Sequence, residues 1–587
     1  MAFRLLPARI SWRIGFALLF LAAASRPADA VERGAMGELS FPSRAGYVEP
    51  FAVALQATFT QDTTRYTFWG FYAGNPDGVD TWKVRYNLPA TGVWSYETVS
   101  SDPWLNGRTG SVTITPPAPG NRGVLIGKDR ALVWENTGEP YFVLGQTAYR
   151  LLHKNVPWIR VLDWLQANGF NHIRVDLTNE ETADAGYEDL WLWGGTPGSP
   201  EYTRFDLAQW DKVDQVLSEG LRRGFTFELG LKTTRQLPLA GPLRTRYLRY
   251  VAARLGAYPH LVYLETYELW KPVREGGIPT PDVVKAIGRE IAAAFESYPR
   301  KPLVGLHTAR NFTYHEGRAG AAYPHVRRGP ANPAGGAYDF RGESWLTCVI
   351  LHERWKMEGL GILQHRPHFP APMYIGEAVY ETTDRKLKSP ADELDAVGIR
   401  DQILQDPRFY YRRYTYSVIL SGGTGLTYGL QGDSSYTDSL GRHIPRWSTG
   451  LPWSRDGRNG AGGFKDMKRA LDYFRAKRLD VNALVPDDTR VSNGVSPSST
   501  DVPSESPGLR RAKFARLGGE NRYFAYNPYF TDLAISGIPA GLRIEILDPQ
   551  TGAIYAGGRT DGGTVFKKPT QFAGDYLLYI APPGTLT

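Results

Sequence analysis

Residues 141–176 read YFVLGQTAYRLLHKNVPWIRVLDWLQANGFNHIRVD, and this stretch decides the fold class. Tyr141-Phe-Val-Leu-Gly145 is an apolar run of strand length. Trp158 to Asn168 is an amphipathic helical stretch. Asn171-His-Ile-Arg-Val-Asp176 returns to strand character. Strand, crossover helix and strand in this order imply parallel pairing.

The unit recurs down the chain. Helices are predicted over Leu207 to Arg223, Pro242 to Tyr258 and Pro281 to Tyr298. The strands between and after them are Phe225 to Gly230, Leu261 to Leu264 and Leu303 to His307. Trp345 to Leu351, Met373 to Gly376 and Gly425 to Tyr428 supply the sixth, seventh and eighth strands. Further helices are expected over Leu394 to Leu404, Tyr411 to Leu420 and Phe464 to Lys477. Eight such units fit a TIM (β/α)8 barrel with long loops. A doubly wound open sheet is the structural alternative, weakened because no Gly-rich phosphate fingerprint follows the first strand.

Both flanks read as β. Before the barrel, Phe51 to Phe59, Tyr66 to Tyr72, Thr81 to Leu88 and Gly92 to Tyr96 alternate, with Gly, Asp and Pro between them. Pro116 to Gly123 is a linker. After the barrel, Pro486 to Pro507 reads as a loop. Phe524 to Tyr526, Leu542 to Leu547, Ala553 to Tyr555 and Tyr576 to Ile580 then read as strands, with Asp548-Pro-Gln-Thr-Gly as a turn. The fold class is therefore multidomain. A β-sandwich over residues 31–119 precedes a (β/α)8 barrel over 124–480, and a second β-sandwich spans 481–587.

Residues 1–30 read as a signal peptide. Arg4, Arg9 and Arg13 precede an apolar stretch from Ile14 to Ala24, and Ala28-Asp-Ala30 ends it. A secreted or periplasmic protein is expected. No stretch is long enough for stable membrane insertion. The formal charge of +8 includes four arginines and one aspartate from this segment, leaving about +5 and no basic tract, so nucleic acid is not an expected partner. Cys348 is the only cysteine, so no disulfide forms within the chain and stability must come from large cores. Sixteen Trp and thirty-three Tyr suit core packing and sugar stacking alike.

Barrel enzymes carry their reactive groups at the C-terminal strand ends. Those ends offer Gln146 and Tyr149, Asp176 and Asn179, Glu228 or Lys232, and Glu265 and Glu268. They continue with His307, with His352 and Glu353, with Glu377, Tyr380 and Glu381, and with Tyr428. Glycoside hydrolysis needs two facing carboxylates, one protonated to release the leaving oxygen and one ionised to attack or shield the anomeric carbon. Strands four and seven can supply them. Glu268 is the candidate acid/base, with Glu265 its rival, and Glu377 the candidate nucleophile. Gln146, Tyr149, Asp176, Tyr267, Trp270, His307, His352, Tyr380, Glu381 and Tyr428 are candidate substrate contacts, although the rings also suit packing and Glu381 also suits orienting a neighbour. No His-x-x-Glu or Cys/His spacing marks a metal, and no cofactor is expected.

Tyr258-Pro-His-Leu-Val-Tyr-Leu-Glu-Thr-Tyr-Glu268 resembles the fourth-strand segment of apiosidase-like glycoside hydrolases. Pro372-Met-Tyr-Ile-Gly-Glu377-Ala-Val-Tyr-Glu381 resembles their seventh-strand segment. Gly138 to Tyr149 is similar to the opening barrel strand, and Ser421 to Gly429 to the last-strand region. Phe68 to Gly74 with Trp82 to Tyr86 resembles the small domain ahead of such barrels. Asp548 to Gly552 with Gly574 to Leu578 is similar to an accessory domain labelled collagen-binding. The resemblance implies a retaining mechanism, with Glu268 on the acid/base position and Glu377 on the nucleophile position. Gln146 stands where the family usually has Asp, Tyr267 where the wider clan has Asn, and His352 where an amide is common. These departures imply a central sugar other than apiose.

The leading reading is a glycosidase acting on a polysaccharide or oligosaccharide. A transglycosylase on the same scaffold, a catalytically inactive glycan-binding protein and a polysaccharide lyase are the alternatives.

Overall fold

The computed structural model describes residues 30–44, 46–154, 156–178, 190–196, 198–231, 239–264, 281–307, 340–352, 359–378, 380–382, 406–431, 436–437, 443–444, 462–494 and 512–585. Its centre is a closed barrel of eight parallel strands: β1 Val143–Thr147, β2 His172–Asp176, β3 Thr226–Gly230, β4 Leu261–Leu264, β5 Leu303–His307, β6 Cys348–His352, β7 Met373–Glu377 and β8 Gly425–Tyr428. They pair in chain order, and β8 closes onto β1 through Val143 opposite Gly425. Parallel strands covered by crossover helices are buried on both faces, and β1, β2, β3, β5, β6 and β7 are buried at every residue.

The covering helices are α1 Trp158–Ala167, α2 Leu207–Arg222, α3 Pro242–Leu255, α4 Pro281–Ala294, α5 Leu360–His365, α6 Pro407–Leu420 and α7 Gly463–Ala476. The Asp206 side chain accepts from the Gln209 N–H at the start of α2, and Asp406 from the Arg408 N–H at the start of α6, so each helix begins on a satisfied cap. The helix expected over Leu394 to Leu404 lies outside the described residues. The described helices are too short or too polar to cross a membrane.

The sixth strand begins three residues later than expected. Thr347 does not enter the ladder; its hydroxyl donates to the Pro302 carbonyl and accepts from the Val304 N–H. Trp345 is instead a core plug packed against α4, where a Cβ on Gly288 would lie 2.2 Å from the indole. A small antiparallel sheet that the sequence reading did not separate from the barrel, Leu125–Lys128, Ala131–Trp134 and Pro140–Tyr141, precedes β1. Leu125, Leu132, Trp134 and Tyr141 close the barrel's N-terminal end in one cluster with Val143, Val262, Leu303 and Ile350.

The N-terminal strands form one folded-over sheet in the order Val31–Glu32, Thr109–Thr115, Gly92–Ser100, Leu55–Gln61, Thr64–Gly74, Thr81–Tyr86 and Gly37–Pro42. The long strand Thr64–Gly74 pairs through its first part with Leu55–Gln61 and through its second with Thr81–Tyr86, which carries it from one layer to the other. The change falls at Gly70, where a Cβ would lie 2.7 Å from Leu55. Phe59, Phe68, Trp82, Tyr86 and Trp94 fill the space between the layers. Arg85 joins this domain to the barrel: it bonds Asp214 on α2 through both terminal nitrogens, Glu38 within its own sheet and the Arg254 carbonyl on α3.

The C-terminal strands form a six-stranded sheet and a three-stranded sheet around their own core, which includes Phe514, Leu533, Ile544 and Leu578. Arg412 on α6 pairs with the buried Asp575 at 2.7 Å, and the Tyr526 hydroxyl donates to the same carboxylate at 2.8 Å. Among the described residues, removing Asp575 leaves Arg412 only Asp466, at 3.9 Å, and takes the acceptor from the buried Tyr526 hydroxyl, which costs about 1–3 kcal/mol. Asp575→Ala is therefore expected to lower the thermal midpoint and make the C-terminal domain unfold before the barrel. Differential scanning calorimetry checks this, and an unshifted single transition would reject it.

Candidate functional site

Glu377 is the last residue of β7, and its side chain keeps 10 % exposure at the end of the barrel where barrel enzymes do their chemistry. Arg174 of β2 sits beside it. One guanidinium nitrogen lies 3.0 Å from Glu377 Oε2 and also donates to the Gly376 carbonyl at 2.9 Å. The Tyr149 hydroxyl donates to Oε2 at 3.1 Å, and the Arg174 guanidinium lies over the Tyr149 ring. The Tyr380 and Tyr149 hydroxyls are 3.2 Å apart. His307 of β5 brings Nε2 to 3.7 Å of Oε2, and His352 of β6 brings Nε2 to 3.9 Å of Oε1. Gly376 leaves room beside these groups, since a Cβ there would lie 2.3 Å from Ile350 and 3.4 Å from the His307 ring.

Burial pushes the Glu377 carboxyl up, but the charges of His352, Arg174 and His307 and the bond from Arg174 outweigh it and hold the group well below the usual carboxylate range. The side chain is thus an ionised carboxylate kept in a mostly dry setting. Beneath it lies a second carboxylate, Glu228 of β3. It is 3.0 Å from Arg174 Nε, accepts from the Tyr374 hydroxyl at 2.5 Å and faces His172 Nε2 at 3.7 Å. His172 Nδ1 meets the Thr226 hydroxyl at 2.7 Å. Arg174 is therefore shared by two buried acids, one at the mouth and one below it.

The expected residues separate into groups. Tyr149, His307, His352 and Tyr380 gather around Glu377. Asp176 ends β2, and its N–H donates to the Tyr149 carbonyl, which pins the turn carrying that ring. Gln146 is fully buried, with its amide nitrogen on the Thr147 carbonyl. Glu381, expected to orient a neighbour or meet substrate, and Tyr428, expected to pack the mouth or meet substrate, are turned to the start of α7. The Glu381 carboxylate accepts from the Gly462 and Gly463 N–H groups at 3.0 Å each and from the Tyr428 hydroxyl at 2.9 Å. Burial raises the Glu381 carboxyl despite these three donors. Glu265, Tyr267, Glu268 and Trp270 lie outside the described residues, as do Asn179, Lys232 and Glu353.

Arg174 escaped the strand-end reading because it sits two residues inside β2. Its own signal is in NHIRVD: a guanidinium within a strand buried on both faces requires an acid beside it.

The family described as apiosidase-like, catalytic domain, matches residues 127–454, more than half of the chain. The chain belongs to the apiosidase-like family. The matched range covers all eight barrel strands and so every residue around Glu377. A domain of unknown function, DUF5060, matches residues 31–101. Among solved structures, this apiosidase-like chain is similar to a Bacteroides vulgatus ATCC 8482 protein described provisionally as a glycoside hydrolase, at 18% identity with a TM-score of 0.67, covering 94% of this chain and 99% of that one. It is similar to a glycoside hydrolase family 5 protein of the same strain, at 15% identity with a TM-score of 0.54, covering 80% and 96%. A third structure, described simply as a glycoside hydrolase, shares 16% identity with a TM-score of 0.53, covering 80% and 99%. No curated protein matches the chain. The apiosidase-like barrel is thus that of a glycoside hydrolase.

Proposed function

We propose that the protein is an exported retaining glycosidase in which Glu377 attacks the anomeric carbon and Glu268 protonates the leaving oxygen. The observation that carries the reading is the Glu377 carboxylate itself, kept ionised by His352, Arg174 and His307 and aligned by Tyr149 at the end of β7. A nucleophile of this kind must be unprotonated at working pH and lie within reach of solvent. Glu268 comes four residues after the end of β4 and follows the family's acid/base position. The signal-like residues 1–30 support export.

In the proposed double displacement, the Glu377 oxygen bonds to the anomeric carbon as the glycosidic bond breaks, and Glu268 gives its proton to the departing oxygen. Water then enters from the other side of that carbon, Glu268 takes a proton from it, and the ester to Glu377 breaks. Two inversions leave the starting configuration.

The test is a screen of the purified chain against glycans and aryl glycosides, followed by proton NMR of the first product formed. Release of the starting anomer, lost in both Glu268→Gln and Glu377→Gln, is the expected outcome. Release of the opposite anomer would sink the retaining mechanism. Full turnover by Glu377→Gln would sink the assignment of the nucleophile.

A further inference from the structure

The geometry points to a binding site for one divalent transition-metal ion on His307, His352 and Glu377, whose occupancy silences the enzyme. The silencing rests on the role proposed for Glu377; the binding does not.

The three side chains come from consecutive strands β5, β6 and β7, and each offers one ligand atom, all within 4.8 Å of one another. Both imidazoles present Nε2 to the carboxylate, at 3.7 Å and 3.9 Å, and their ring centroids are 5.3 Å apart. A zinc ion bound at about 2.0–2.1 Å to imidazole and about 2.0–2.2 Å to carboxylate sets its ligand atoms roughly 3.3–3.5 Å apart. Closing from the observed spacing to that one takes shifts of about an ångström or less, within the reach of small χ rotations about a fixed backbone. Two imidazoles and one carboxylate with open positions is also the donor set of a three-ligand catalytic zinc site.

The charges permit it. Among the described residues the guanidinium beside Glu377 is that of Arg174, and its charge is matched by Glu228, 3.0 Å from Nε. With the two imidazoles in the neutral form that ligates a metal, the arginine and the two acids carry one net negative charge, which an incoming dication meets. Nitrogen ligands favour zinc, copper, nickel and cobalt over magnesium and calcium. The bound ion would occupy the carboxylate oxygens that must reach the anomeric carbon, so metal and substrate compete for Glu377.

The test uses the full chain freed of metal by a chelator and then titrated with cobalt(II). One equivalent per chain should bind and give the visible d–d bands of a four- or five-coordinate site. Zinc should displace it, while magnesium and calcium should not. His307→Asn and His352→Asn, each shown by circular dichroism to be folded, should each weaken binding by at least about a hundredfold, as loss of one of three ligands demands. Hydrolysis should fall in proportion to zinc occupancy and return when the ion is removed by chelator.

Absence of the bands, or bands unchanged in both histidine variants, overturns the site. Zinc seated at one equivalent with turnover unchanged overturns the silencing. Cobalt bound by a chain that hydrolyses no glycoside supports the site and overturns the glycosidase reading, so the two failures are distinguishable.

Discussion

Glu377→Gln is expected to lower kcat by at least about a thousandfold while the fold melts within a few degrees of the parent. A thousandfold is roughly 4 kcal/mol of lost transition-state stabilisation. The amide has nearly the shape of the carboxylate but cannot form the bond to the anomeric carbon. The fold survives because Arg174 keeps Glu228 as a partner at 3.0 Å, so no buried cation is stranded. Initial rates on the best substrate of the screen, with a thermal melt of the same sample, check both halves. A further variant distinguishes a nucleophile from a residue that only positions others. Glu377→Gly leaves a space beside the anomeric carbon, and added azide should enter it, attack in place of the carboxylate and release a glycosyl azide of inverted configuration. Recovery of turnover with azide, giving that product, is expected. A Glu377→Gly enzyme as active as the parent without azide would end the assignment.

Why Glu377 was legible and Arg174 was not follows from where each sits on its strand. Buried parallel strands read as short apolar runs, and seven of the eight started within two residues of expectation. The other, β6, starts three residues later because Trp345 and Leu346 extend the apolar run although their backbone has not yet joined the ladder. The fourth helix ends earlier than its apolar pattern for a related reason. Phe295 and Tyr298 are buried and continue the apolar face of α4, but the helix stops at Ala294 and those rings pack against Tyr263 and Phe68 from turns. The strand-end rule picks out Glu377 from the sequence alone, and in the structure that residue ends β7. The same rule picks out Glu381 and Tyr428, and spacing along the chain does not reveal that Gly462 and Gly463, some eighty residues on, bring a helix N-terminus to that carboxylate. The His307, His352 and Glu377 cluster was invisible for the same reason. Its members are separated by 45 and 25 positions and meet only because three neighbouring barrel strands end together.

Arg174→Met should produce the second large effect, because one guanidinium serves two acids. Without it, Glu377 loses both the nearby positive charge and a hydrogen bond that hold its carboxyl low, and burial then pushes the group up unopposed by that partner. In the parent the depressed carboxyl adds stability above the ordinary carboxylate range, and this is lost only as pH falls through the lower folded value. In Arg174→Met that contribution shrinks, and the acid limb of kcat/KM moves to higher pH. The rate at the optimum should fall by about 10²–10³, as when one preorganised donor is removed from a buried reacting group. Glu228 is also left buried against Tyr374 and His172 without its cation, which costs about 3–5 kcal/mol. Arg174→Met with Glu228→Gln removes that stranded charge. It should recover much of the stability but little of the rate, and it should keep the displaced acid limb. That split between melting temperature and pH profile distinguishes an arginine that tunes the nucleophile from one that only fills the barrel. If the double variant regained both stability and the parental acid limb, Arg174 would be structural, and the low carboxyl of Glu377 would belong to His307 and His352 instead.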